Sequence, residues 1–72
     1  MLHIGFEAYV PKARVIAILP NRGLGARRLA DQADPIIDMT RGRACKSLVL
    51  LDTGDIIRVH LASAVLVARW QS

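Results

Sequence analysis

The chain has 72 residues, 53% hydrophobic and only 4% aromatic, and its ten Lys and Arg outnumber six Asp and Glu for a net charge of +4. Such a length holds one domain, and the single cysteine, Cys45, excludes an internal disulfide and suits a reducing cytoplasm. No apolar run approaches the ~20 residues of a membrane span, and Met1-Leu2-His3-Ile4-Gly5 lacks the basic and long apolar regions of a secretory leader.

Domains of this size bury only about 60% of their unfolded surface and lean on disulfides, metals or assembly. His3, His60 and Cys45 show no metal-ligand spacing, so neither a metal nor another cofactor is expected. The surplus of Ile, Leu, Val and Ala therefore predicts contacts between copies of the chain.

In chain order, Leu2, Ile4 and Phe6 alternate with His3 and Gly5, the pattern of a half-buried strand. Glu7-Ala8 turns the chain, Tyr9-Val10 resumes it, and Pro11 marks a strand end. Residues 14–19 read as a buried strand that Pro20 stops, and Asn21 is a candidate helix N-cap. Residues 24–34 read as a helix with Ala26, Leu29, Ala30 and Ala33 on one stripe and Arg27 and Arg28 on the opposite face; Pro35 ends it. Ile36-Ile37-Asp38 is a short strand, followed by a basic loop around Gly42. Residues 46–52 contain Leu48-Val49-Leu50-Leu51, a run apolar on both faces, which predicts a central strand. Asp52-Thr53-Gly54-Asp55 turns into a hairpin partner over 56–61, with Ile57, Val59 and Leu61 on one face and Ile56, Arg58 and His60 on the other. Ser63 is expected to cap a last helix through Trp70, with Val65, Leu66 and Arg69 aligned. The fold class is α+β: a small, mostly antiparallel sheet, a mid-chain helix and a short C-terminal helix.

Catalytic chemistry has little material. Nothing places His60 near Cys45 as a nucleophile's base, Asp52 and Asp55 flank a turn they most simply cap, and Gly23-Leu24-Gly25 is only a fragment of a phosphate loop. No enzyme activity and no small-molecule substrate are expected. The basic groups say more. Thr40-Arg41-Gly42-Arg43-Ala44-Cys45-Lys46 carries three cations around a glycine that lets a phosphate approach the backbone. Arg41 and Arg43 can fork onto phosphate oxygens, and Thr40 offers a hydroxyl. A solvated turn in which Arg43 pairs with Asp38 or Asp55 fits the same residues. Arg14 opens a strand otherwise read as buried, so its head must reach a surface or a partner. Single-strand binders stack bases on exposed rings, and Phe6, Tyr9 and Trp70 are too few for that. Duplex DNA, gripped through phosphates, is therefore favoured over an Sm-like RNA ring, the second reading; a structural oligomer with no nucleic-acid role is the third.

Several segments carry a resemblance to a known family: His3-Ile4-Gly5-Phe6, Val10-Pro11, Arg14-Val15-Ile16-Ala17-Ile18, Ile37-Asp38-Met39-Thr40-Arg41-Gly42-Arg43, and Ser47-Leu48-Val49-Leu50-Leu51-Asp52 running on to Ile56-Ile57. In this order and spacing the chain resembles the RemA/RemB family of bacterial extracellular matrix regulators. The resemblance implies a cytoplasmic DNA-binding regulator of matrix and biofilm genes, with LytTR-like subunits in a ring-shaped homo-oligomer whose arginine-bearing rim meets duplex DNA. The family's functional arginines map onto Arg14 and Arg43. RemA members carry a second arginine after the loop Gly-Arg, and here that position is Ala44; Arg41 and Lys46 lie in the same loop. Together with Thr40 and Gly42 these form the expected DNA contact, with Arg27 and Arg28 as additional candidates.

Overall fold

A computed structural model describes residues 1–6, 8–22, 28 and 36–72. Its elements are β1 (Leu2–Gly5), β2 (Ala8–Val10), a 3-10 turn (Lys12–Arg14), β3 (Val15–Pro20), β4 (Ile36–Asp38), β5 (Ser47–Leu51), β6 (Ile56–Val59) and a helix, α1 (Ser63–Gln71). The expected mid-chain helix over 24–34, its apolar stripe and Arg27 lie outside the described residues.

The strands form two sheets rather than one. β1 and β2 pair antiparallel by themselves, and the larger sheet has the order β3-β5-β6-β4. Its pairings are antiparallel except that of β4 with β6, which is parallel. β5 is an interior strand, as its two-sided apolar run predicts, and β6 is the other. Val49 pairs with Ile57 and Ser47 with Val59 on one face, while Leu48 meets Arg58 and Leu50 meets Ile56 on the other. This is the alternation expected of β6, although the strand ends at Val59 and His60 and Leu61 leave the ladder. The hairpin between β5 and β6 turns at Gly54, whose φ of 91° suits glycine.

Residues 14–19 were expected to form a buried strand, and here the fold differs. β3 is an edge strand beginning at Val15, and Arg14 closes the preceding 3-10 turn. The register with β5 slips between Val15 and Ala17, so Ile16 is the bulged residue and stays 57% exposed. The strand does end at Pro20, with the proline inside it. The proline occupies the last position of an edge strand, where a missing N–H costs nothing.

The core joins the small hairpin, one face of the large sheet and the helix: Leu2, Ile4, Val10, Val15, Val49, Ile57, Val59 and Leu66. Leu66 is fully buried, whereas Val65, expected to align with it, is exposed. Two polar ties hold α1 in place. Arg69 donates to the His3 carbonyl at 3.1 Å, and the Trp70 indole donates to the Lys12 carbonyl at 3.4 Å. The expected cap is also displaced by one residue: Ala62 is the N-cap, Ser63 is already helical, and no side chain caps the helix. No helix among the described residues is long and apolar enough to cross a membrane.

Candidate nucleic-acid interface

The basic loop is built at one end of the large sheet, where β4 and β6 finish and β5 begins. Asp38 ends β4 beside Arg58, and its carboxylate accepts from both the amide and the hydroxyl of Thr40, at 2.9 and 2.6 Å. The chain then reverses over Thr40-Arg41-Gly42-Arg43. The Arg43 amide donates to the Thr40 carbonyl at 3.0 Å, and φ is 52° at Arg41 and 84° at Gly42. Positive φ at both central positions is the mark of a type I′ turn, which favours glycine in the second place. Gly42 is thus required by the turn itself. An added Cβ there would meet nothing within 4 Å, so this face of the loop is open.

Thr40 corrects one expectation. It is only 3% exposed, and its hydroxyl proton is committed to Asp38, so it shapes the loop instead of offering a donor outward. The hydroxyl, helped by the Thr40 amide and the nearby Arg58 charge, holds the Asp38 carboxyl below the ordinary carboxylate range. A group lowered on folding adds stability above its unfolded value, near 4, and loses that contribution as pH falls through its folded value. Thr40→Val is expected to lower Tm at neutral pH by about 4 °C. That difference from the native chain should shrink as a melting series is taken below pH 4.

Arg41 and Arg43 are exposed, and both gather on Phe6, in the turn between β1 and β2. The Arg41 guanidinium lies 4.8 Å from the ring centroid and that of Arg43 lies 5.4 Å away. Arg41 also donates to the Phe6 carbonyl at 3.3 Å. On the same ring packs His60, with centroids 4.4 Å apart. Neither acid considered as a partner for Arg43 pairs with it: Asp38 serves Thr40, and Asp55 accepts from the Thr53 hydroxyl at 2.8 Å. Phe6, Gly5 and His60 were not singled out as site residues from sequence. The signal was the Gly5-Phe6 pair at the end of the first strand, an ordinary turn until the fold sets it against residues 35 positions away.

Gly5 is the tightest point. Its φ is +109°, and a Cβ there would fall 2.8 Å from Cε1 and 3.2 Å from Nδ1 of His60. Gly5→Ala is expected to cost about 2 kcal/mol through backbone strain and displacement of the His60 ring. Chemical denaturation would measure it, and an unchanged midpoint would refute it.

Lys46 ends the loop next to β5, and Arg22 joins it. The Asn21 amide donates to the Lys46 carbonyl at 2.9 Å and the Asn21 side chain to the Cys45 carbonyl at 3.0 Å; the helix start that Asn21 was expected to cap lies outside the described residues. Arg22, Lys46 and Ser63 line an open groove of about 240 Å³. The fold puts Arg22 beside Lys46. Arg28 is exposed.

Arg14 is not brought to the loop. Val15 pairs with Leu51 and Pro20 with Ser47, so Arg14 sits beyond one end of β5 and the loop beyond the other. The strand between spans about 13 Å at ~3.3 Å per residue. Arg14 is 59% exposed along its side chain and lies 3.6 Å from Asp52, the only ion pair among the described residues.

The sequence pattern described as extracellular matrix regulatory protein A-like matches residues 1–70. A protein of Thermosynechococcus vestitus is 35% identical over 72 residues, covering 96% of this chain and 94% of its own length. One from Dehalococcoides mccartyi is 33% identical over 72 residues, covering 96% of this chain and 75% of its own. Another, from Maridesulfovibrio salexigens, is 31% identical over 75 residues, covering all of this chain and 87% of its own. All three bear the name "Putative regulatory protein".

Proposed function

Because the chain belongs to the RemA-like family of extracellular matrix regulatory proteins, we propose that it regulates matrix and biofilm genes by binding duplex DNA as a ring-shaped homo-oligomer. The observation that carries this reading is the loop: two exposed guanidinium groups, Arg41 and Arg43, held together on one ring over an open glycine turn. Guanidinium pairs recognise phosphate oxygens, and backbone phosphates need neither a deep pocket nor stacked bases. Lys46 and Arg22 extend the positive charge from the same end of the sheet. Arg14 supplies a separate contact at the other end, weakened by its pairing with Asp52.

Assembly is supported by unspent apolar surface. Tyr9 and Ile16 are more than half exposed, and Ile36 and Ile37 lie exposed on edge strand β4. Edge strands with apolar side chains favour pairing between copies. A ring repeats a modest local charge, and linked contacts gain avidity without new chemistry. Against an Sm-like RNA ring stands the open four-stranded sheet, which does not close into a barrel among the described residues.

The test is a titration of labelled duplex DNA at several salt concentrations, with uridine-rich RNA as competitor and the solution mass measured in parallel. The reading expects an oligomer whose affinity falls steeply with salt and which prefers DNA. A monomer, or no retardation of DNA at low salt, overturns it. Preference for the RNA would favour the alternative.

A further inference from the structure

We infer that Phe6 is a positioning residue of the loop: its ring holds the guanidinium groups of Arg41 and Arg43 side by side, ready for phosphate. This rests on the reading of the loop as the DNA contact.

The ring is fixed by its backbone and by its packing. Phe6 is half-buried and sits at a φ of 47°, a backbone region costly for a bulky aromatic residue. Such a conformation persists only where its surroundings enforce it. Here Gly5, itself at positive φ, lets the chain lie against His60, and the His60 ring packs on Phe6 at 4.4 Å. The strained turn therefore directs an aromatic face at the loop.

What the ring does there follows from its chemistry. Two cations close together repel, and the negative face of an aromatic ring offsets that repulsion. A carboxylate would do so more strongly, but it would occupy the N–H donors that a phosphate needs. An aromatic ring attracts the guanidinium through the π face, and most of the planar fork of donors stays available at the edge. Of Arg41, one donor is used on the Phe6 carbonyl. Ordering two long side chains before the ligand arrives removes part of the cost of ordering them on binding.

The experiment compares Phe6→Leu and Phe6→Tyr in the full chain, each with and without the paired substitutions Arg41→Ala and Arg43→Ala, by anisotropy of a labelled duplex. Phe6→Leu should bind about five- to tenfold more weakly, while Phe6→Tyr, which keeps the ring, should stay within about twofold. In the arginine-free background Phe6→Leu should change affinity by less than about twofold, because the groups it positions are gone. NMR of the unbound protein supplies an independent readout: ring-current shifts of the Arg41 and Arg43 Hδ protons, present in the native chain and in Phe6→Tyr, should vanish in Phe6→Leu. Equal weakening by Phe6→Leu in both backgrounds, or native affinity in Phe6→Leu, overturns the inference while leaving the loop as the DNA contact. If removing the two arginines itself leaves affinity intact, the reading of the loop fails and the role of Phe6 falls with it.

Discussion

Replacing both Arg41 and Arg43 with alanine is expected to weaken duplex DNA binding at least about a hundredfold at low salt, since each charged hydrogen bond is worth about 1.5–3 kcal/mol and a tenfold change about 1.4. Two lost phosphate contacts per engaged subunit should also flatten the salt dependence of log K by about 1.8 units for each such subunit. A ring multiplies both effects. Stability and solution mass should barely move, because both side chains are exposed and surface substitutions usually stay within about 0.5 kcal/mol. The combination is diagnostic: a folded, assembled protein that has lost affinity and salt slope together. Arg14→Ala is expected to lose less, since Asp52 already lies 3.6 Å from that guanidinium. Should the double variant bind DNA with native affinity and slope, the loop is not the contact surface.

Leu66→Ala is expected to be the most damaging single change to stability. Leu66 is fully buried and is the only buried residue of α1. Removing a buried leucine to alanine costs about 2–5 kcal/mol through lost burial and the cavity left behind. At roughly 0.05–0.15 kcal/mol per residue, a chain this short has only about 4–10 kcal/mol in total. A nine-residue helix does not hold itself together in water, so loosening its one fully buried side chain should also release the Arg69 contact to His3 and the Trp70 contact to Lys12. The measurable outcome is a fall in Tm of more than about 10 °C with early hydrogen exchange in α1 and β1. A fall under about 2 °C would show that the polar ties dock the helix and the leucine does not.

Much of the fold was legible because strand patterns are local. The two-sided apolar run Leu48-Val49-Leu50-Leu51 marked an interior strand, Gly54 marked the hairpin, and the alternation of 56–59 gave the two faces of β6. The errors were also local in origin. Val15-Ile16-Ala17-Ile18 reads as buried from composition, but a bulge that exposes Ile16 depends on register with β5, which no single segment encodes. Ser63 looked like a cap because serine is a good one, yet the chain enters α1 one residue earlier, at Ala62.

Sequence by itself determined the chemistry available: an excess of arginine, a glycine turn among cations and few rings, because residue type and spacing fix charge, donors and backbone freedom. Only the tertiary structure decided who meets whom. It brought Phe6 under Arg41 and Arg43, set Arg22 beside Lys46, turned Thr40 inward to Asp38 and set Arg14 at the far end of β5. Apart from the two-residue step between Thr40 and Asp38, these placements join segments through strand pairing and chain reversal, and such geometry is settled by how all the apolar faces pack at once, not by any one stretch of residues.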